Sequence, residues 1–205
     1  MSGPGVAVAF EISDPESVTV VVTKRRPLDP SAYAPTDLIL LGSVPGGGDQ
    51  KMRTVAADAM TGMYEAALAA DAPFRVSTAY RPYGFQQSLY GGYAAQLGTA
   101  AADRVSARPG FSEHQTGLAA DVYDVQTNHL KRSFGASDAG QWLAANAYAY
   151  GYIVSYPEGK EDVTGYKWEP WHIRFVGVDV ATSMHDQGIV TLQEFMGVEA
   201  SPGYE

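Results

Sequence analysis

Apolar and polar residues along the chain are spaced so as to predict short strands alternating with helices. Val18-Thr19-Val20-Val21-Val22 is β-branched throughout and predicts a strand. Residues 24–35 then carry Pro27, Pro30 and Pro35, which lack the amide donor of regular structure, so an extended arm on the surface is expected. Leu38-Ile39-Leu40-Leu41 predicts a short buried segment. Gly46-Gly47-Gly48 predicts a plain flexible turn, since the Lys-Ser/Thr ending of a phosphate cradle is missing. A helix is expected to open at Asp49 or Gln50 and run to about Ala70. Met52, Val55, Ala56, Ala59, Met63, Ala66 and Ala67 form its apolar face, with the methionines as core filler.

Phe74-Arg75-Val76-Ser77-Thr78-Ala79-Tyr80 has strand composition, with Phe74, Val76 and Thr78 on one side, and Arg81-Pro82 ends it. Residues 86–97 predict a helix weakened by Gly91-Gly92, and Arg108-Pro109-Gly110 a turn. Residues 118–125 predict a strand with Ala119, Asp121 and Tyr123 on one face, although Asp124 falls on the core face. Ser137 or Asp138 is a cap for a helix carrying Trp142, Leu143, Ala147 and Tyr150, and Gly151 ends it. Residues 152–156 predict another strand, stopped by Pro157. The strand over residues 171–176 is the clearest: Trp171, Ile173 and Phe175 face one way, His172 and Arg174 the other. A helix over 179–187 and a short segment over 191–196 close the chain.

This organisation predicts one domain over residues 18–200, after a flexible segment or linker over 1–17 and before a tail over 201–205. A formal net charge of -9 repels polyanions, so nucleic acid is not expected as a partner. No apolar run approaches the roughly 20 residues of a membrane span. No feature specifies an oligomeric state. Cysteine is absent, which leaves His, Asp and Glu as the strong metal ligands.

Those residue types gather in two stretches. The first is Ser112-Glu113-His114-Gln115-Thr116-Gly117-Leu118-Ala119-Ala120-Asp121, the second Glu169-Pro170-Trp171-His172. A catalytic zinc takes three protein ligands and keeps a position for water, and a nearby carboxylate then accepts that water's proton. His114, Asp121 and His172 are candidates for the ligands and Glu169 for the base. Glu169 lies three positions before His172, on the opposite face of a regular strand. Pro170 allows it to turn toward the site from a loop instead. Two His and one carboxylate also describe a non-haem iron site, a class that needs no additional glutamate base. His129 and His185 are expected on the surface or in the core, and Arg174 in a structural role. His-Glu-x-x-His, Gly-x-Ser-x-Gly and Ser-x-x-Lys patterns are all missing, which removes the corresponding peptidase and serine-hydrolase classes.

Ser112-x-His114-x-x-Gly117-x-Ala119-x-Asp121 followed by Glu169-Pro170-Trp171-His172 resembles the VanY-type D-alanyl-D-alanine carboxypeptidases. These are zinc peptidases related to D-Ala-D-Ala dipeptidases and phage L-alanyl-D-glutamate peptidases. Lys24-Arg25-Arg26-Pro27-Leu28, Ser77-Thr78-Ala79-Tyr80-Arg81, Gly140-Gln141-Trp142-Leu143 and Tyr156-Pro157-Glu158-Gly159-Lys160 extend the likeness. The resemblance implies an α+β fold: a small, mainly antiparallel sheet with helices packed around it and the metal in a groove on the sheet. It implies one zinc ion on His114, Asp121 and His172, and Glu169 as general base. It implies Arg81, Gln86 and Ser112 as substrate-binding residues. Independently, the rigid guanidinium fork of Arg81 suits a terminal carboxylate. The implied substrate is a peptidoglycan stem peptide that loses its C-terminal D-Ala, and the implied location is extracytoplasmic, with any export signal absent from this chain. Cleavage of another stem-peptide bond, or wall binding without cleavage, are the alternatives. Two departures bear on substrate choice: Pro82 follows Arg81 where the family often has Ser, and Ser155 stands where it commonly has Arg.

Overall fold

The computed structural model describes residues 10–124 and 130–204. Its centre is an antiparallel four-stranded sheet in the order β3 (Arg75–Thr78), β4 (Ala119–Tyr123), β6 (His172–Phe175) and β5 (Tyr152–Val154). β1 (Leu38–Leu40) and β2 (Lys51–Arg53) make a separate antiparallel pair. Around the sheet lie α1 (Thr54–Ala69), α2 (Tyr83–Leu97), α3 (Thr99–Ala102), α4 (Asp138–Asn146), α5 (Glu161–Thr164), α6 (Val178–Gln187) and α7 (Leu192–Phe195). The architecture is the α+β one that the resemblance implied.

Alternation along the two central strands divides core from site. Ala120, Val122, Ile173 and Phe175 join Met52, Met60, Met63, Phe74 and Leu143 in the main core under α1 and α4. Asp121, His172 and Arg174 have the opposite parity. The register pairs Asp121 with His172 and Ala119 with Arg174. A second cluster packs α6 through Val180, Ala181 and Met184 against Val21, Ile153 and Val176.

Several elements differ from their expected form. Residues 18–22 are not a strand. Val20 and Val22 are buried in one cluster and Val21 in another, while the carbonyls of Val18 and Val20 accept from the Arg174 guanidinium at 3.2 and 3.0 Å instead of joining a ladder. The arm over 24–35 is anchored rather than superficial, for Leu28 and Tyr33 are buried beside Val20 and Val22. Ile39 and Leu40 are exposed, and only Leu41 of that run is fully buried. α1 begins at Thr54 because residues 51–53 pair with β1, with Arg53 N–H also donating to Gly117 O. Its buried face is Ala56, Ala57, Met60, Met63 and Ala67, and Val55 is exposed. The glycine turn is tight rather than flexible: at Gly46, with φ +81°, a Cβ would stand 2.2 Å from Val76 O.

α2 starts at Tyr83, directly after Pro82, and runs through Gly91-Gly92 unbroken. β5 ends at Val154. The Ser137 hydroxyl caps α4 by accepting from Gly140 N–H, and a 3-10 turn, Ala147–Tyr150, carries the chain to Gly151. Position 125 of the expected β4 lies outside the described residues. The end of the chain is packed: Ser201 Oγ is 3.0 Å from Thr23 Oγ1, and Tyr204 Oη is 3.0 Å from Tyr166 Oη.

Candidate metal centre and active site

The first half of the site is a 3-10 turn, Glu113–Thr116, stopped by Gly117 at φ 69°. A Cβ at Gly117 would meet Arg53 Cγ at 2.9 Å, so glycine is required on both counts. The turn buries His114 and aims its Nδ1 at Ala79 O, 2.7 Å away. A carbonyl only accepts, so Nδ1 carries the proton and Nε2 keeps its lone pair. That Nε2 is buried without a hydrogen-bond partner, 3.3 Å from Asp121 Oδ2.

The second half arrives on β6. His172 Nδ1 is 3.0 Å from Asp121 Oδ1, its cross-strand partner, and Nε2 is 2.9 Å from Glu113 Oε2. The rings of His114 and His172 stand edge to face at 4.8 Å. One donor atom each from His114, Asp121 and His172 lies within 4.8 Å of the others. Burial, then the Arg81 charge, lowers the His114 pKa to about 4, so it stays neutral. Burial would lower His172 as well, but its hydrogen bonds to Asp121 and Glu113, with their charges, outweigh that and raise it to about 9. Burial opposes ionisation of Asp121, yet the two imidazoles hold its pKa well below the ordinary value. The Asp121 and Glu113 carboxylates thus favour the protonated form of His172 where the three donors converge. One imidazole with an orphaned lone pair, one carboxylate and a second imidazole that can give up its Nδ1 proton form a donor set that fits a divalent cation.

Glu169 reaches the same place from the turn before β6. Its N–H donates to Tyr156 O and its carbonyl accepts from His172 N–H, so the chain doubles back and the opposite-face problem of a straight strand does not arise. Burial is the main cause that raises the Glu169 carboxyl to about 7. Arg81 bridges Asp121 Oδ2 at 3.2 Å and Gln86 Oε1 at 3.1 Å, with its Nε buried and unpartnered. Gln86 is fixed in turn through Nε2, which donates to Ala107 O at 2.7 Å and Ser106 Oγ at 3.3 Å.

Two spaces meet here. A pocket of about 40 Å³ is lined by Arg81, Gln86, Ser112, His114, Glu169 and His172, among others. A cleft of about 420 Å³ shares Arg81 and Glu169 with it and continues past Trp171, Trp168 and Lys167. All seven site residues expected from the sequence thus converge. His185 lies apart, exposed and stacked on Tyr148 at 3.7 Å, and His129 lies outside the described residues.

Two participants were not singled out for the site beforehand. Glu113 is buried, its Oε2 on His172 and its Oε1 3.2 Å from the wholly buried Arg174 guanidinium. Burial opposes its ionisation, but the His172 hydrogen bond and the Arg174 charge bring its pKa to about 2. The polar run over residues 112–116 carries no apolar pattern that would announce its burial, so no sequence signal pointed to Glu113. Tyr156 stacks on His172 with centroids 4.7 Å apart at 27°.

Known proteins resemble this chain to different extents. Residues 49–178 match the family model described as VanY, D-alanyl-D-alanine carboxypeptidase. YodJ of Bacillus subtilis (strain 168), named as a candidate carboxypeptidase, is 36% identical over 190 residues, covering 90% of this chain and 68% of YodJ. The structure of LdcB, an LD-carboxypeptidase described with its peptidoglycan recognition, superposes with a TM-score of 0.83 at 34% identity, covering 90% of this chain and 88% of LdcB. A zinc complex of the D,D-pentapeptidase VanY from a VanB-type cassette, carrying a Glu-to-Ala change, gives a TM-score of 0.73 at 27% identity, covering 87% and 98%. Among the described residues no helix is long and apolar enough to cross a membrane. With the family model spanning the sheet and both halves of the site, the chain belongs to the VanY D-alanyl-D-alanine carboxypeptidase family of peptide hydrolases.

Proposed function

We propose that this protein is a zinc-dependent carboxypeptidase that removes the terminal D-Ala of peptidoglycan stem peptides outside the cytoplasm. The observation that carries the reading is the convergence of donor atoms of His114, Asp121 and His172 within 4.8 Å of one another, beside a cleft of about 420 Å³ lined by Arg81, Asp121 and Glu169. The cleft suits a peptide whose C-terminal end reaches Arg81 and Glu169.

His114 Nε2, Asp121 and His172 Nδ1 are the zinc ligands in this reading. Zinc bound there supplies Lewis acidity to the scissile carbonyl and to the attacking water. Glu169 takes the water's proton and returns it to the leaving amine, a task that suits a carboxyl poised near neutrality. The Arg81 guanidinium, with its Nε unpartnered, is the group that would take the substrate's terminal carboxylate. Gln86 holds one side of that fork, and Ser112 lines the smaller pocket with both. The partner is thus a cell-wall stem peptide. The likeness to LdcB favours a second specificity on the same site, cleavage of an L,D bond.

Mass spectrometry after incubating zinc-loaded protein with two synthetic stem peptides tests this. One ends in D-Ala-D-Ala and the other in a single D-Ala on an L-residue. Loss of one alanine from the first supports D,D-cleavage, and loss only from the second moves the assignment to the L,D bond. Release of intact D-Ala-D-Ala, or an internal cut, would refute the carboxypeptidase reading. So would metal-bound protein that leaves both peptides whole.

A further inference from the structure

A histidine ligand is useful only when its lone pair faces the metal, and an imidazole can place its proton on either nitrogen. For His114 a backbone carbonyl settles the matter. For His172 a side chain sits in the equivalent place. Glu113 Oε2 lies 2.9 Å from Nε2, on the far side of the ring from Asp121. A carboxylate accepts only, so it requires a proton on Nε2. When His172 is neutral, its lone pair is then on Nδ1, facing Asp121 and the His114 lone pair. The Tyr156 ring, stacked at 27°, holds the imidazole plane.

Glu113 is itself held. Arg174 occupies its other oxygen, Oε1, at 3.2 Å. The same guanidinium donates to Val18 O, Val20 O and Phe175 O and is wholly buried. Glu113 cannot turn away from His172 without leaving a buried cation unpaired. We infer that Glu113 is a positioning residue that fixes the metal-binding tautomer of His172, with Arg174 as a separate structural anchor. The inference rests on the zinc reading above but adds a residue that does not touch metal or substrate.

A purely structural role, neutralising Arg174, is the competing account. E113Q and R174M separate the two. The amide of E113Q cannot accept from His172 and Arg174 at once, whereas R174M keeps the carboxylate on Nε2. Zinc affinity would be measured by chelator competition, and the zinc-bound nitrogen of His172 by ¹⁵N NMR of zinc-loaded protein. Tuning of this kind is typically worth about 10–100-fold in metal affinity. E113Q should therefore bind zinc roughly 10–100-fold more weakly, and its His172 should lose the uniform pattern of metal on Nδ1 and proton on Nε2. R174M should melt lower yet keep that pattern, with affinity within about threefold of wild type, well short of the loss tautomer control predicts. Equal weakening in both variants, or unchanged zinc binding in E113Q, would overturn the inference while leaving the zinc peptidase intact. A wild-type protein that binds no zinc would overturn both.

Discussion

Replacing Glu169 by Gln should stabilise the metal-free protein above neutrality while abolishing turnover. The carboxyl is held by burial at a pKa of about 7 instead of 4.5. Its folded-state pKa is raised, so it contributes no instability below 4.5, where it is protonated in both states. The penalty grows as pH rises through 4.5 to 7, where the unfolded chain ionises first. Raising a carboxyl from 4.5 to about 7 corresponds to roughly 3 kcal/mol at most. The realised figure is smaller because Glu169 keeps contact with the cleft. For a chain of this length, 1 kcal/mol moves the midpoint by about 2–4 °C. In chelator at pH 8, E169Q should melt about 3–8 °C above wild type, and at pH 4.5 the two should coincide. Calorimetry at the two pH values reads this directly. Added zinc should shrink the pH 8 gap, because a cation beside the carboxylate replaces the solvation it lost. A gap equal at both pH values, or an E169Q that melts lower at pH 8, would refute the account of Glu169 as a desolvated base.

Activity should rise with pH along one limb set by Glu169, with its midpoint below 7 in the zinc-loaded protein, since the cation favours the carboxylate; a limb above 7 would contradict this. Zinc must displace the His172 proton, held to about 9, so affinity measured between pH 5 and 8 should fall about tenfold for each unit of acidification. R81K keeps the charge but loses the fork, and should lower kcat/KM for a free C-terminal carboxylate by about 10–100-fold while shrinking the preference over the C-terminal amide. G46A combines a φ of +81° with a Cβ 2.2 Å from a backbone oxygen, and should cost on the order of 2–4 kcal/mol in denaturant unfolding without changing zinc affinity.

The cluster of His114, Asp121 and His172 was legible as a candidate before the fold because metal-ligand chemistry is written in residue types. With no cysteine, few residues can hold a metal, and His114, Asp121 and His172 sit in runs whose glycine, proline and strand signals constrain direction. Secondary structure was less legible wherever two periodicities agree over a short span. Met52 fits a helical stripe, yet it is equally the inward residue of the three-residue β2. The run over 18–22 has strand composition but, among the described residues, pairs with no strand, and the carbonyls of Val18 and Val20 serve Arg174 instead. Glu113 stayed hidden for a related reason. Its partner Arg174 is 61 positions away, and side-chain direction in a 3-10 turn does not follow from spacing.

Asp121 and His172 are direct cross-strand partners although 51 positions separate them. Pairing β4 with β6 closes that long loop, at an entropic cost of about 3–4 kcal/mol. The central register of the sheet and the candidate metal cluster thus share one residue pair. A cation bound there would act as a stitch between two distant segments, and its loss would loosen the seam between β4 and β6. Refolding in the presence of zinc should accordingly run faster if this pair forms in the transition state, and unfolding should slow if it forms afterwards.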